Sequence, residues 1–248
     1  MEDGLRATVR AFQGAPGIVP LWLWLVVPIL FYFAVVISLG IDEALHFWVV
    51  NDERGLGENL TTFWFLGVAV LSFLIFRERE LFEGHWLRWC FALMSVVAFF
   101  VAGEEASWGQ HFFGWGTPDW VADLNKQNET NLHNMAQKLL DQKPRAIVSI
   151  VIFLGGVVMP LLYKKNKLAF VDGYPMIKWL MPTPQLIPAA LFAFLPRLPD
   201  RIQRNFDVSL GQMFDMPTRH FQEVQEFYIG LFIFLYVFAL RRSLQSQS

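Results

Sequence analysis

From Ile18 to Gly40 the chain runs for 23 residues without a charge, almost all of them apolar. A helix rising 1.5 Å per residue needs about 20 residues to cross a hydrocarbon layer, so this run is long enough to span. It exceeds the apolar core of a secretory leader and lacks a small-x-small cleavage pattern, which predicts an uncleaved first span. Five more apolar stretches follow, at about 59–76, 86–102, 146–163, 176–195 and 221–240. Pro182, Pro184 and Pro188 interrupt the fifth. Each removes a backbone donor and bends a helix, so this stretch is expected to be broken or re-entrant. The pattern predicts an all-α integral membrane protein: one domain over residues 1–248, a bundle of about six transmembrane helices. Gly155-Gly156 inside the fourth stretch predicts close helix packing there. No repeat relates the first three stretches to the last three.

Residues 104–145 form a connection far longer than the usual 2 to 8 residues between packed helices. Thr117-Pro118 reads as an N-cap followed by proline at the first helical position, opening a short helix to about Leu124. A second helix is expected from near Thr130 to Asp141, with Leu132, Met135 and Leu139 along one stripe. Such short helices suit the membrane interface, or a lid over the spans.

Composition agrees with the pattern. Of 248 residues, 54% are apolar and 17% charged, with 25 Phe and 10 Trp. That is the balance of a polytopic membrane protein rather than a soluble domain. A net charge of −2 argues against a nucleic-acid partner, which would need a basic face. Membrane lipids and other subunits of a membrane complex are the expected partners. Cys90 is the one cysteine, so an intrachain disulfide and a Cys-rich zinc site are both excluded.

Lysine and arginine set the expected orientation. Arg77 with Arg79, Lys164 to Lys167, and Arg241 with Arg242 lie in short loops or at the end of the last stretch. They favour both termini inside, in a bacterial inner membrane. Sixteen of the 22 acidic residues and four of the five histidines then fall on the outer side. One face is chemically loaded.

The densest group runs from Gly103 through His111. Ionisable groups at a bilayer margin are costly, which gives them a functional presumption. If the third helix continues, Glu104, Ser107, Trp108 and His111 share a face at i, i+3, i+4 and i+7, with Glu105 about 100 degrees away. On the sixth stretch His220, Glu223 and Glu226 spread over an arc of about 120 degrees. Facing helix ends of this kind build metal sites, and carboxylate with imidazole suits Zn, Mn or Fe. The candidate set is therefore Glu104 and Glu105 as catalytic carboxylates, and His111, His133, Glu223 and Glu226 as metal ligands. Trp108, Gln110, Asn131 and Asn134 would hold a polar headgroup. Asp42, Glu43 and His46 are weaker candidates. Against this stands the bland reading, in which the acids pair with Arg54, Arg145 and Arg219, and the tryptophans are interface aromatics. No metal-ligand spacing motif, nucleophile elbow or phosphate-binding loop is present.

The run Gly-Glu-Glu-Ala-Ser-Trp-Gly-Gln, followed by Glu-Thr-Asn-Leu-His-Asn, resembles segments of bacterial multi-spanning proteins without an assigned activity, and so implies none. Three readings stay open: a metal-dependent hydrolase or transferase acting on a lipid or lipid-linked substrate, a non-catalytic subunit or assembly factor, and a proton- or cation-coupled transporter. All lean on acids from the third and sixth spans meeting at one place.

Overall fold

The computed structural model describes residues 19–50, 55–78, 86–118, 143–198, 202–203, 206 and 218–245. In chain order the principal helices are α1 (Trp22–Ile41), α2 (Glu43–Val50), α3 (Leu56–Arg77), α4 (Leu87–Glu105), α5 (Pro144–Lys164), α6 (Pro175–Leu180), α7 (Ile187–Phe194) and α8 (Thr218–Gln245). Among the described residues there is no strand. Helices α1, α3, α4, α5 and the Gln222–Gln245 part of α8 are long and apolar enough to cross a membrane. The chain is thus an all-α membrane-type protein, and these five match the first four stretches and the last. The interfacial helices expected near 117–124 and 130–141 lie outside the described residues, apart from an extended start at Thr117 and Pro118.

The fifth stretch is broken, as its prolines require. Helix α6 stops at Leu180, Met181 is extended, and a 3₁₀ turn over Pro184–Leu186 leads into α7. Pro184 has no N–H to offer the Leu180 carbonyl, its helical partner four residues back. Tyr236 Oη on α8 donates to that carbonyl instead, at 2.7 Å. Trp179 Nε1 donates to Ser243 Oγ at 2.6 Å, and Gln225 Nε2 donates to the Ala193 carbonyl, near the C-terminal end of α7, at 2.9 Å. The three bonds occur in reverse order along the two segments, so the broken one lies antiparallel beside α8. They cover 18 residues of α8, about 27 Å of helix axis.

Two of the long helices bend at wider turns rather than breaking. A π turn over Trp22–Val26 precedes Pro28, and another over Leu154–Val158 precedes Pro160. An i to i+5 bond skips a partner and lets the ring pass, so the helix continues.

Helix α8 is the centre of the molecule. Within its apolar part 67% of residues are buried, against 22% to 33% in the other four membrane-length helices. Phe227, Tyr228, Leu231, Leu235 and Val237 are fully enclosed, with Phe31 of α1 stacked on Phe227 at 3.6 Å. Apolar residues on the outer faces of α1 and α4, such as Leu30, Phe33, Leu93 and Val96, are exposed. That inversion is what a lipid-bathed bundle shows.

Close approach depends on two glycines. A Cβ on Gly67 of α3 would lie 2.5 Å from the Phe234 ring, and one on Gly156 of α5 would lie 2.6 Å from Phe232 and 2.7 Å from Ala190 Cβ. Gly155 faces open space. The packing expected of the Gly155-Gly156 pair therefore belongs to Gly156 alone. Gly156→Ala should destabilise the detergent-solubilised protein by about 1–3 kcal/mol through overpacking. Gly155→Ala, its immediate neighbour, should be neutral or slightly stabilising; equal losses in thermal or denaturant unfolding would contradict this packing.

Candidate carboxylate site at one end of the bundle

Side-chain bonds give the register that places the acids. Arg88 Nε donates to the Phe76 carbonyl at 2.9 Å and Ser95 Oγ to the Ala69 carbonyl at 2.8 Å, so α3 and α4 run antiparallel. Carried nine residues further along each helix, that register sets Glu104 opposite Leu60. Helix α8 runs parallel to α3, with Phe234 against Gly67 and Gly230 against Trp64 and Phe65. The same register brings the first turn of α3, with Glu58, level with Glu223 and Gln225. Arg145 stands at the start of α5 and makes an ion pair with Glu226. Acids from α3, α4 and α8 thus share one end of the bundle, and α3 packs along both α4 and α8.

Glu223 is the hub of this layer. Its carboxyl hydrogen-bonds that of Glu226 and feels the charges of Glu226, Glu58 and Arg145. Helix spacing accounts for the pair, since residues three apart on α8 face the same way. The guanidinium–carboxylate pair is shielded, with side-chain exposures of 8% for Arg145 and 18% for Glu226. Removing one partner of so enclosed a pair leaves an unmatched charge and costs about 3–5 kcal/mol. Gln225 lies between the two acids in sequence and is fully buried; its Oε1 has no hydrogen-bond partner among the described residues.

Glu104 sits in a second polar centre with its own geometry. Helix α4 ends at Glu105, and the next residues turn left-handed: Ser107 at φ 43°, Trp108 at φ 55° and Gly109 at φ 89°. This corrects the expectation of a continuous helix through His111. The reversal folds the Trp108 indole back over α4, where Nε1 donates to Glu104 Oε1 at 2.7 Å and the ring covers Gly103. Glu104 and Trp108 do meet, but across a reversed turn. A non-glycine residue held left-handed costs about 1–3 kcal/mol, and such residues concentrate at functional positions. His111 follows in a separate short helix, Gln110–Phe113, with Gln110 Nε2 donating to Thr117 Oγ1 at 2.9 Å. Gly109 and Gly114, both at positive φ, make the turns on either side.

Of the expected ligand set, His111, Glu223 and Glu226 lie among the described residues and His133 does not. Among the described residues no three of His, Cys, Asp and Glu are placed to hold a metal ion. Glu223 and Glu226 are adjacent, but Arg145 engages Glu226. His133, Asn131 and Asn134 lie outside the described residues, as do Trp120 and Arg54 and the side chains of His220 and Arg219. The residue passed over in the sequence is Glu58, whose signal was its place at the start of the second span. The bland reading holds in part, since Glu226 has its arginine.

The weaker group near the first span is structural. His46 on α2 is buried and bonds Ser38 Oγ at 3.0 Å, and Asp42 Oδ2 caps α2 through the Leu45 N–H at 2.9 Å. Burial lowers the His46 pKa below the ordinary imidazole value, partly opposed by a hydrogen bond involving the Val35 backbone.

Comparison with protein-family models, with curated proteins and with solved structures returns no match for this chain.

Because the folded state binds the His46 proton less readily than the unfolded chain, stability is full above the ordinary histidine value and declines as pH falls from about 6.5 through the lowered folded value. Unfolding midpoints in detergent between about pH 7.5 and 5 should show that decline, and His46→Gln should flatten it. A wild-type profile that rises on acidification would contradict the assignment.

Proposed function

We propose that this protein is an integral membrane enzyme that works by acid–base chemistry at its carboxylate-bearing end, on the polar part of a lipid or lipid-linked substrate. The supporting observation is the environment of Glu223, which has two carboxyls and one cation as charged neighbours. At the other end of the bundle Glu78 pairs with Arg241, and Asp172 with Lys178. Carboxyls that adjoin one another at a membrane edge are groups through which a proton can pass. Glu223 and Glu226, three residues apart on α8, offer carboxyls that can give a proton, and Glu58 a further carboxyl to receive one. Arg145 fixes Glu226 and can face an anionic headgroup. Glu104, aimed by Trp108, borders the same layer.

The reaction class is a hydrolysis or group transfer in which Glu223 acts as the acid and a neighbouring carboxylate as the base. The ion pair joining α5 to α8 favours a second reading, a non-catalytic subunit in which these charges hold helices together.

In this reading the broken α6–α7 segment is a sixth crossing, because it runs the length of α8 in the opposite direction. Six alternating crossings leave both termini on one side. The lysines at 164, 165 and 167 favour the cytoplasm for that side, in this reading that of a bacterial inner membrane, with the carboxylate layer outside.

Two measurements test these claims. Protein reconstituted in vesicles of bacterial polar lipids should release or transfer a headgroup, detected by mass spectrometry, and Glu223→Gln should lower the rate at least about 100-fold with the fold intact. Wild-type protein that leaves every lipid unchanged, or a Glu223→Gln variant as active as wild type, would defeat the enzyme reading. For orientation, in a Cys90→Ser background, an impermeant maleimide on intact cells should label Gly116→Cys and spare Lys165→Cys. The opposite pattern would invert the topology.

A further inference from the structure

Arg88 stands just inside the start of α4, between Trp86 and Trp89, which are 63% and 65% exposed. Its Nε donates to the Phe76 carbonyl in the last turn of α3, which pins the guanidinium across the seam between the two helices. Arg88 Cζ lies 4.5 Å from the centre of the Phe76 ring and 5.6 Å from that of Trp89, and the two rings are 5.5 Å apart. Phe73 continues the aromatic floor, 6.2 Å from Phe76. The end of α3 accounts for the Nε bond, because last-turn carbonyls have no partner within their own helix. It does not account for the two terminal nitrogens of Arg88, which make no hydrogen bond or ion pair among the described residues.

Positive charge collects around this seam. Arg77, the residue after Phe76, is exposed. Glu78 follows it, but Arg241 engages that carboxylate. The register that sets Phe234 of α8 against Gly67 of α3 brings Arg242 level with Ile75, so a further exposed arginine stands at the same depth. Exposed indoles settle at the headgroup level of a bilayer, and a guanidinium grips phosphate through paired N–H groups. From that level the seam continues into hydrocarbon as exposed apolar side chains, among them Phe73, Leu93 and Val97. A soluble acidic peptide would have no use for that apolar stretch. A zwitterionic lipid would bring its ammonium among arginines.

We propose that the α3–α4 seam at this end binds one anionic phospholipid, its phosphate against Arg88 and Arg77 and its chains along Phe73, Leu93 and Val97. The site rests on neither the carboxylate layer nor any reaction there.

Cys90, exposed two residues beyond Arg88, supplies a local reporter. The full chain carrying a bimane on Cys90 is placed in vesicles at about 0.15 M salt, where charges more than about 8 Å apart are screened. Phosphatidylglycerol with a nitroxide near its headgroup should quench the bimane at a mole fraction at least about fivefold lower than nitroxide phosphatidylcholine does. Arg88→Gln and Arg77→Gln should each remove most of that preference, and Lys164→Gln with Lys165→Gln, at the end of α5, should leave it intact. Equal quenching by the two lipids in the wild-type protein would overturn the site. So would a preference that survives both arginine changes, or one that the lysine changes abolish, which would mark a diffuse field. Loss of the preference on adding inorganic phosphate at constant ionic strength would also overturn it, in favour of a soluble anion. Should Arg88→Gln fail to fold, Arg77→Gln decides, since its exposed side chain makes no bond among the described residues.

Discussion

Hydrocarbon offers a backbone carbonyl no hydrogen bond, and this constraint shapes the bundle around α8. Helices that keep their own ladders, α3 and α4, need no outside donors for them and are joined through the Arg88 and Ser95 side chains. The α6–α7 segment does need them, because its prolines strip donors from the ladder. Its carbonyls are met from α8 instead: Leu180 by Tyr236 and Ala193 by Gln225. Tyr228 reaches a third carbonyl, that of Pro28 on α1, at 2.8 Å. The most enclosed helix is therefore also the one that supplies polar partners to its irregular neighbours.

That arrangement has consequences at both ends. Near its start α8 must present side chains to α3 and α5 at once, which brings Glu223 and Glu226 against Glu58 and Arg145. Near its finish it faces a gap between α6 and α7, where hydroxyls and aromatic rings line a cleft without a charge. Several charges at this second end have partners. Arg241 holds Glu78, and Arg88 lies 4.5 Å over the Phe76 ring. Tyr163 and Lys178 both donate to Asp172 at 2.7 Å, keeping its carboxyl below the usual range. Ion pairs at one end, and adjoining carboxyls beside Arg145 at the other, distinguish the two ends of the bundle.

The helix positions were legible in the sequence because hydrocarbon thickness dictates the length of an apolar run, and the prolines at 182, 184 and 188 announced the break. The site was legible only in outline. Glu104, Glu223 and Glu226 stood out as acids beside apolar runs, but nothing local in Ser107 or Trp108 foretells a left-handed turn, and Gly109 was its one hint. That turn swings His111 off the face it would share with Glu104 on a straight helix. Glu58 escaped notice because its importance comes from the parallel register of α3 and α8, a tertiary relation with no trace in either segment alone.

The account turns on the acids of α3 and α8 occupying one layer. The most direct measurement is chemical cross-linking of Glu58→Cys with Glu223→Cys, in a Cys90→Ser background and in native membranes, using a short bis-maleimide. The pair should join in high yield, whereas Glu58→Cys with a cysteine at Ser243, at the far end of α8, should not. Two cysteines that each react with a single maleimide yet fail to bridge would show that the layer does not exist.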